Sequence, residues 1–433
     1  RAARGGDRAR RGRGRKLSAP KLKAPRGTYD VLSESSQERA TLEARARTLL
    51  EGAGYERIET PTFEATELFA RGVGESTDIV RKEMFTFQDA SERSLTLRPE
   101  GTAPVCRAYV EHGMHKRRQP VKLWYLSSFF RHERAQAGRY RQFWQVGAEA
   151  IGSEDPAVDA ESIALLAALL EQMGVREVRL RLSSLGSPET RAEYRERLQA
   201  YLRAHEVELS DEVRARIELN PLRAFDAEHE GTRRAMADAP RLLDQLSPDD
   251  AAHFAEVRAL LDEASVAYEV DSTLVRGLDY YTRTVFEFTS DALGAQSGVG
   301  GGGRYDGLIE LLGGKPTPGI GWAAGVERIL LAGDGQHVAA SPVDLFLALD
   351  GEASRRVAFG LLHDARSAGL HVQMELAGRS LKGQLGQADA LAARYVAIVE
   401  DGATTLKDMQ DGRQERIATD TVVHAVLRGL RTL

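Results

Sequence analysis

Cysteine is almost absent from the sequence, which has Cys106 as its single example among 433 residues. One cysteine cannot form a disulfide within the chain or build a thiolate zinc site, and such scarcity is typical of proteins from a reducing compartment. We therefore expect a cytoplasmic protein. The ten histidines are scattered without metal-ligand spacing, so we also expect no metal ion ligated by histidine or cysteine.

Long apolar segments are missing as well. A helix that crosses a bilayer needs about 20 consecutive, mostly apolar residues, and no segment of the sequence approaches that length. We therefore expect no membrane span. The remaining composition, with 42% hydrophobic and 28% charged residues, is that of an ordinary globular protein. Because one core rarely serves so long a chain, we expect two or three domains.

Acidic residues are nearly absent from the N-terminus. Residues 1–26 contain eleven lysines and arginines and one acid, Asp7, although the net charge of the whole chain is −5. A segment with so few large apolar side chains cannot form a packed core, so we expect residues 1–24 to be a disordered basic tail. A solubilising extension is the favoured interpretation, and attraction to nucleic acid phosphates is the other.

Local patterns predict several elements in the first half of the chain. The stretch SSQE from Ser35 has the spacing of a capping box, which predicts a helix with Ser35 as its N-cap. Alternation over residues 55–60 predicts a strand that stops at Pro61. Pro99 is expected near the first turn of a further helix. Strand-like stretches on either side of residues 135–138 predict a β-hairpin.

The order of these patterns predicts an α+β fold. Residues 187–265, approximately, are charged, alanine-rich and mostly helical, and they interrupt a strand-rich region. After a candidate linker at residues 333–341, strand and helix patterns alternate, which predicts a separate α/β domain. A ligand of the first region would therefore lie on an antiparallel sheet and not in a doubly wound nucleotide fold.

Residues 130–143 (FRHERAQAGRYRQF) combine four arginines, one histidine and a single glutamate. A solvated charged surface is one interpretation, and a hairpin whose arginines face a nucleotide triphosphate is the other. Joining a carboxylate to the α-phosphate of ATP brings two anions together, so the reaction needs fixed positive charge more than a proton-transfer residue. Arginine suits this task because its planar guanidinium binds phosphate oxygens in pairs.

Glycine dominates residues 297–307 (SGVGGGGRYDG), which include the spacing of a dinucleotide fingerprint at Gly298, Gly300 and Gly303. That spacing is weak support for a dinucleotide site, since no βαβ unit with a downstream acid completes it. A flexible linker is the simplest alternative. We favour a third interpretation, in which the backbone closely approaches a bound ligand.

Together these motifs resemble those of class II aminoacyl-tRNA synthetases, and specifically the histidyl-tRNA synthetase family, from about residue 24 to the C-terminus. GYERIETPTFE resembles motif 1 of the class, FRHERAQAGRYRQF resembles motif 2 and GIGWAAGVERILL resembles motif 3. Three further stretches resemble segments particular to the histidyl family, namely TLRPEGTAPVCRA, LVRGLDYYTRTVFEF and GGGGRYDGLIELLGG.

The resemblance implies a domain order and an activity. The class II catalytic domain, an antiparallel sheet flanked by helices, would span residues 25–333, with its helical insertion at about 187–265. An α/β anticodon-binding domain would span residues 342–433. The implied enzyme is a cytoplasmic homodimer that uses ATP and Mg²⁺ to activate L-histidine as histidyl-adenylate, and then transfers histidine to the 3′ end of tRNA-His.

The resemblance also implies which residues bind ATP. Arg131 would hold the α-phosphate and Arg276 would approach it from the other side, and these two would be the catalytic residues. Arg328 would bind the γ-phosphate. The adenine would lie against Glu133 and Phe143. The triphosphate would also contact Arg139 and Arg141.

A second set of residues is implied for histidine. It comprises Glu100, Gly101, Thr102, Arg131, Gln145, Glu149, Arg276, Tyr280 and Tyr281. Glu100, Thr102 and Gln145 would bind the α-amino group, while Glu149 and Tyr281 would bracket the imidazole. A neutral imidazole presents one N–H donor and one acceptor, which a carboxylate and a phenol hydroxyl can satisfy. An amino acid that lacks either group would leave a buried polar atom unpaired. The plainer interpretation of Glu149 is a strand residue paired with a neighbour.

Two alternatives belong to other classes of protein. One is the non-catalytic, synthetase-like regulatory subunit of histidine biosynthesis. Such proteins typically lack the anticodon domain and degrade the LVRGLDYY stretch, and this sequence contains both features. The other is a sensor of uncharged tRNA, which is found beside a kinase, and no kinase signature is present. The presence of the anticodon domain and of the LVRGLDYY stretch, together with the missing kinase signature, favours the enzyme over both alternatives.

Overall fold

The structure is a computed structural model, and it divides into two compact units, residues 1–336 and 337–433. It describes residues 22–74, 77, 79–133, 138–274, 278–294, 297–334, 343–351, 354–400 and 403–431. Most of the predicted basic tail and most of the candidate linker lie outside these ranges.

The first unit holds most of the secondary structure. Its described helices are α1 (Ser33–Gly52), α2 (Thr66–Val73), α3 (Thr102–Glu111), α4 (Pro156–Gln172), α5 (Pro188–Ala204), α6 (Asp211–Arg214), α7 (Glu230–Ala237), α8 (Pro248–Glu263), α9 (Leu308–Leu311) and α10 (Val326–Ala332). Its described strands are β1 (Glu56–Arg57), β2 (Phe63–Ala65), β3 (Thr86–Gln88), β4 (Ser94–Leu97), β5 (Val121–Phe130), β6 (Gln142–Ile151), β7 (Val178–Ser184), β8 (Glu269–Val270), β9 (Thr282–Ser290), β10 (Gly298–Arg304) and β11 (Gly319–Gly325).

Eight of these strands form one sheet in the order β1-β5-β6-β11-β10-β9-β7-β8. The inner pairs are all antiparallel, and the short edge strands β1 and β8 pair in parallel with their neighbours. This arrangement confirms the α+β fold class and the antiparallel platform that the sequence predicts. A separate sheet contains β2, β4 and β3.

The two faces of the large sheet are covered by different helices. Trp124 contributes to a core with α1, α4, α8 and α10, while the next residue, Tyr125, contributes to a core with α3, α5 and α9. Successive side chains of a strand point to opposite faces, so β5 supplies both cores in alternation. The helices that follow β7 therefore divide between the faces: α8 packs with α4 on one face and α5 packs on the other.

The predicted N-cap at Ser35 is wrong. Helix α1 begins at Ser33, and its N-cap is Leu32, which makes no side-chain capping hydrogen bond. An N-cap residue needs a non-helical backbone from which its side chain can reach the next free N–H groups. Ser35 already lies in the first helical turn, so it cannot fill that role.

The expected place of Pro99 also needs correction. Helix α3 begins three residues later, at Thr102, and the carboxylate of Glu100 accepts hydrogen bonds from the N–H groups of Thr102 at 2.8 Å and Ala103 at 3.0 Å. Glu100 thus satisfies helix-terminal donors that would otherwise lack partners. The strand expected over residues 55–60 is shorter than predicted, since β1 ends at Arg57.

The predicted hairpin around residues 135–138 is confirmed by β5 and β6, which pair antiparallel from Val121 opposite Ile151 to Phe130 opposite Gln142. The glycine run is a strand, β10, which lies between β9 and β11 in the middle of the sheet. The same run is therefore neither a linker nor the strand-to-helix turn of a dinucleotide site.

The second unit is an α/β module. Its described elements are β12 (Leu345–Leu349), α11 (Ser354–Ser367), β13 (Val372–Met374), α12 (Leu381–Ala390), β14 (Tyr395–Val399), β15 (Thr404–Asp408), β16 (Gln414–Ile417) and α13 (Val422–Arg431). The sheet has the order β13-β12-β14-β15-β16, with parallel pairs around β12. Helices α11 and α13 pack on one face and α12 packs on the other. In the described part of the chain, no helix combines the length and apolar character needed to span a membrane.

Candidate active site

A cavity of about 350 Å³ is formed where the motif 2-like hairpin, the glycine strand and the start of α10 meet. Eleven of the predicted site residues line it: Glu100, Gly101, Thr102, Arg131, Glu133, Arg139, Phe143, Gln145, Tyr280, Tyr281 and Arg328. These residues come from positions 100–328 of the chain, and folding gathers them around one space. Arg276 lies outside the described residues.

Strand β10, the glycine strand, has glycine at positions where the neighbouring strand leaves no room for a side chain. A Cβ atom on Gly300 would lie 2.6 Å from the Cβ of Ala324, and one on Gly302 would lie 1.9 Å from the carbonyl oxygen of Gly321. Gly298, Gly300 and Gly301 expose their backbone along the cavity wall. Glycine in a strand interior often marks such a close approach.

One end of the cavity is cationic. Arg131 follows β5, and its Nε donates to the carbonyl oxygen of Pro99 over 2.9 Å, which fixes the plane of its guanidinium. The same guanidinium lies 5.3 Å from the ring centroid of Phe143. The carboxylate of Glu133 lies 3.7 Å from Arg131 and 3.3 Å from Arg139. Arginine side chains that are already held in position can bind an anion without rearranging.

Arg328 completes this cationic end from α10. Its Nε donates to the carbonyl oxygen of Gly298. Burial, followed by repulsion from Arg139, lowers the pKa of the Arg328 guanidinium below its ordinary value. An anion placed between these arginines would relieve that repulsion.

Arg141 is placed differently from the other arginines of the hairpin. Its Nε donates to the carbonyl oxygen of Glu133 over 3.4 Å, and its backbone N–H donates to the carbonyl oxygen of Gly27 over 2.7 Å. Gly27 has a φ of +85°, and a Cβ there would lie 2.7 Å from Cγ of Arg141. The Arg141 side chain therefore packs against the N-terminal segment and does not line the cavity.

Other residues that line the cavity offer hydrogen-bond acceptors. Burial raises the pKa of Glu100, while the N–H groups of Ala103 and Thr102 act in the other direction. The Oε1 atom of Gln145 is buried and has no hydrogen-bond partner within the described residues. Buried acceptors in folded proteins are nearly always satisfied, so this atom points to a donor on a ligand.

Glu149 lies behind the cavity wall. It is 0% exposed, and its carboxyl group accepts from Thr102 Oγ1 at 2.8 Å, Tyr305 Oη at 2.7 Å and Tyr125 Oη at 3.4 Å. Burial raises the pKa of Glu149 to about 8, although the hydrogen bonds from Tyr305 and Thr102 oppose this rise. Tyr125 lines the cavity and so stands between the ligand space and Glu149.

Sequence reasoning missed several residues of this site. Tyr125 and Tyr305 hold Glu149, and Glu287 and Glu327 line the cavity. Tyr305 lies within the family-like stretch GGGGRYDG, but its partner is 156 residues away. The alternation of β5 could have placed Tyr125 on the same face as the cavity, yet no pattern in the sequence pairs it with Glu149.

Glu327 connects the cavity rim to the N-terminal helix. Its carboxylate accepts from the Tyr29 hydroxyl at 2.7 Å, the Arg39 guanidinium at 2.7 Å and the backbone N–H of Trp144 at 3.1 Å. Because Trp144 lies on β6 and Glu327 lies on α10, these bonds fix the cationic end against the sheet.

Comparison with known proteins identifies the family. The family model described as histidyl-tRNA synthetase matches residues 27–329. A histidine–tRNA ligase of Halorhodospira halophila is 48% identical over 96% of this chain and 99% of its own length. The crystal structure of apo Staphylococcus aureus histidyl-tRNA synthetase is 36% identical, with a TM-score of 0.79, and the match covers 94% of this chain and 100% of that one.

A structure from Bacillus halodurans, titled as an ATP phosphoribosyltransferase regulatory subunit/histidyl-tRNA synthetase, is 23% identical, with a TM-score of 0.62, over 85% of this chain and 97% of that chain. It shares the fold alone. The family model and the two more similar proteins show that the chain belongs to the histidyl-tRNA synthetase family.

Proposed function

We infer that the protein is a histidine–tRNA ligase that activates L-histidine with ATP and transfers it to tRNA-His. The observation that supports this best is that one cavity is lined both by the cations Arg131, Arg139 and Arg328 and by the acceptors Glu100 and Gln145. The arginines complement a nucleotide triphosphate, and the acceptors complement the ammonium group of an amino acid. A regulatory subunit without aminoacylation activity has no need of both groups of residues.

The proposed first step forms histidyl-adenylate. A carboxylate oxygen of histidine attacks the α-phosphorus of ATP, the bond from that phosphorus to the bridging oxygen of the β-phosphate breaks, and pyrophosphate leaves. In the second step a ribose hydroxyl at the 3′ end of tRNA attacks the carbonyl carbon, loses its proton and displaces AMP. The first step requires no proton transfer, so fixed positive charge is the main contribution of the protein.

We assign the ATP contacts as follows. Arg131, oriented by the Pro99 carbonyl group, holds the α-phosphate, and Phe143 stacks on the adenine beside Glu133. Arg328 takes the γ-phosphate and Arg139 contacts the triphosphate. Arg276 is proposed to approach the α-phosphate from the other side on the resemblance of LVRGLDYY alone. Arg141 is proposed to hold the hairpin against the N-terminal segment, because its contacts lie there.

Mg²⁺ is a proposed companion of ATP. The described residues contain no cluster of three or more histidine, cysteine, aspartate and glutamate side chains arranged for a metal ion. Protein sites for Mg²⁺ commonly use one or two carboxylates together with substrate phosphates. Glu287 lines the cavity beside Gly298 and fits that role. The ion would supply further positive charge on the triphosphate.

The histidine contacts follow from the hydrogen-bond acceptors that line the cavity. The α-ammonium group donates to Glu100 and to the unpaired Oε1 of Gln145, and Tyr280, 3.5 Å from Glu100, borders the same region. The imidazole lies beside Tyr281 with its N–H directed at Glu149, so histidine binding displaces the Tyr125 hydroxyl that separates Glu149 from the cavity. An ionised carboxylate can accept about four hydrogen bonds. Glu149 accepts three in this structure, so it has capacity for the imidazole N–H once it releases the proton that its raised pKa retains at neutral pH.

Two neighbours shape that imidazole site. Gly101 is required because a Cβ there would lie 2.4 Å from the Tyr125 ring. Thr102 orients Glu149 through its hydroxyl group.

Assembly and tRNA recognition are also proposed. Phe63 and Phe87 lie on the small sheet and are 49% and 43% exposed, with ring centroids 6.1 Å apart. Phe63 belongs to the motif 1-like stretch, so we propose this surface as part of a homodimer interface. The second unit corresponds to the α/β anticodon-binding domain that the family resemblance implies for residues 342–433, and it is proposed to bind the anticodon. The protein is proposed to act in the cytoplasm.

Aminoacylation of a tRNA-His transcript tests this function. Wild-type protein with ATP, Mg²⁺ and labelled histidine should charge tRNA-His and leave a tRNA for another amino acid uncharged. Arg131→Ala, at the α-phosphate, should lower the rate by a factor of about 100 or more. Folded wild-type protein that charges no tRNA would contradict the proposal and favour the regulatory subunit.

A further inference from the structure

The segment that carries Tyr280 and Tyr281 is held from outside the catalytic sheet. It precedes strand β9, which begins at Thr282, so the carbonyl groups just before Thr282 are not part of the regular strand ladder. Buried backbone acceptors outside a ladder need side-chain or solvent partners. In this protein the partner is a side chain of α5, the first helix after β7.

Arg191 of α5 provides that partner. Its guanidinium donates to the carbonyl oxygen of Tyr281 and, over 3.3 Å, to the carbonyl oxygen of Asp279. These two carbonyl groups flank Tyr280. A planar guanidinium with several donors in fixed directions can restrain two acceptors at once, so Arg191 restrains the backbone on both sides of one cavity-lining tyrosine.

Other contacts from the same helical region hold the ends of this segment. Asn220 Nδ2 donates to Oδ1 of Asp279 over 3.1 Å. Arg283 exchanges backbone hydrogen bonds of 2.7 Å with Leu185 and Gly186, just before α5. The Nε atom of Arg283 also donates to Asp250 of α8 over 3.2 Å. The segment is therefore attached to helices α5 and α8 and to the loop that contains Asn220.

Burial supports a specific role for Arg191. Its side chain is partly enclosed, and burial lowers the pKa of the guanidinium while the Asp279 carboxylate acts in the opposite direction. Removing a charged group from water costs free energy unless its contacts within the protein compensate for the lost hydration. The two hydrogen bonds of the Arg191 guanidinium to carbonyl groups of this segment are such contacts.

We propose that Arg191 is a positioning residue that sets the affinity for histidine by holding the backbone of Tyr280 and Tyr281. This inference rests on the proposed function, in which both tyrosines contact histidine. The cationic end of the cavity is built from Arg131, Arg139 and Arg328, which none of the described Arg191 contacts reach. Loss of Arg191 therefore affects histidine and leaves ATP binding largely unchanged.

Helix α5 offers a matched control. Arg197 lies on the same helix, is exposed, and donates to Oε1 of Gln245 over 2.9 Å. Arg191→Ala and Arg197→Ala thus remove the same chemical group from the same helix. Arg191→Ala loses contacts to the segment that carries the tyrosines, and Arg197→Ala loses a contact to Gln245.

The test measures KM for histidine, KM for ATP and kcat by exchange of labelled pyrophosphate into ATP in wild type and both variants. For Arg191→Ala we expect KM for histidine to rise about tenfold, which corresponds to about 1.4 kcal/mol, because small displacements of contact groups are costly. KM for ATP should stay within about twofold of wild type, and Arg197→Ala should match wild type in all three quantities. Arg191→Lys, with one donor group, should fall between.

Other results would overturn the inference. Equal rises of both KM values, an unchanged KM for histidine, or the same change in Arg197→Ala would each contradict positioning by Arg191. If Arg191→Ala does not fold, Asn220→Ala, which loosens Asp279, should raise KM for histidine alone, and its failure to do so counts against the inference. Absence of histidine-dependent exchange in wild type would instead overturn the proposed function itself, and the inference with it.

Discussion

Tyr305 donates its hydroxyl group to Oε2 of Glu149 over 2.7 Å, and neither side chain is exposed to solvent beyond 1%. A Cβ on Gly321 would lie 1.7 Å from the same oxygen, so the carboxyl group occupies space that only a glycine at position 321 leaves open. Glu149 is thereby fixed at the back of the cavity, with Tyr125 between it and the ligand space. In the proposed function, this buried pair holds the carboxyl group to which the histidine imidazole is directed.

The stability of the ligand-free protein should depend on pH through Glu149. Its pKa is raised by burial from 4.5 to about 8 in the folded protein, so between these values the folded state holds a proton that the unfolded state releases. The stabilising contribution is present at low pH and is lost as pH rises through 8, with a slope of at most about 1.4 kcal/mol per pH unit.

Thermal denaturation of wild type and Glu149→Gln between pH 5 and pH 9 measures this dependence. The wild type should lose Tm relative to Glu149→Gln as pH rises, because glutamine has no proton to release. A constant difference between the two proteins across this range would contradict the assignment of the titration to Glu149.

Removal of the unpaired acceptor should weaken histidine binding. Gln145→Ala deletes the buried Oε1 that we assign to the α-ammonium group, and a hydrogen bond to a charged group contributes about 1.5–3 kcal/mol. KM for histidine should therefore rise by roughly 10- to 150-fold, while KM for ATP changes little. Steady-state pyrophosphate exchange gives both constants, with the exposed Gln373→Ala as the control. An unchanged KM for histidine would exclude Gln145 as a ligand.

Replacing glycine by alanine in β10 should destabilise the fold at positions where β10 pairs with β11. Gly302→Ala would place a Cβ 1.9 Å from the Gly321 carbonyl oxygen, so the strands must separate, and we expect a loss of about 3 kcal/mol or more in the free energy of unfolding. At Gly360, within α11, an added Cβ would have no neighbouring atom within 4 Å.

Gly360→Ala is the matched control, and it should stabilise the second unit by about 0.5–1 kcal/mol. Denaturant unfolding followed by circular dichroism compares the two variants. Equal stability of Gly302→Ala and wild type would show that strand packing does not require glycine at that position.

The sequence predicts elements best where local pattern and tertiary packing agree. Strands β5 and β6 are long, alternate in character and flank a polar loop, so their hairpin could be predicted. The N-cap of α1 could not, since a correct capping-box spacing at Ser35 does not reveal that the helix starts two residues earlier.

Within the site, the arginine-rich and glycine-rich stretches could be identified from their composition and from the family resemblance. The residues that were missed act through contacts between distant parts of the chain. Tyr305 reaches Glu149 across 156 residues and Arg191 reaches Tyr281 across 90. Such partners are set by the packing of strands and helices, which no local pattern in a single sequence encodes. Arg141 shows the converse, because a motif position alone did not reveal that its side chain faces Gly27.

Histidine-dependent exchange of labelled pyrophosphate into ATP tests the central claim most directly, since it reports adenylate formation without tRNA. Wild-type protein with Mg²⁺ should exchange label only when histidine is present, and Arg276→Ala should reduce the rate by a factor of about 100 or more. Folded wild-type protein that shows no exchange, or exchange that does not depend on histidine, would contradict the assignment of this cavity to histidine activation.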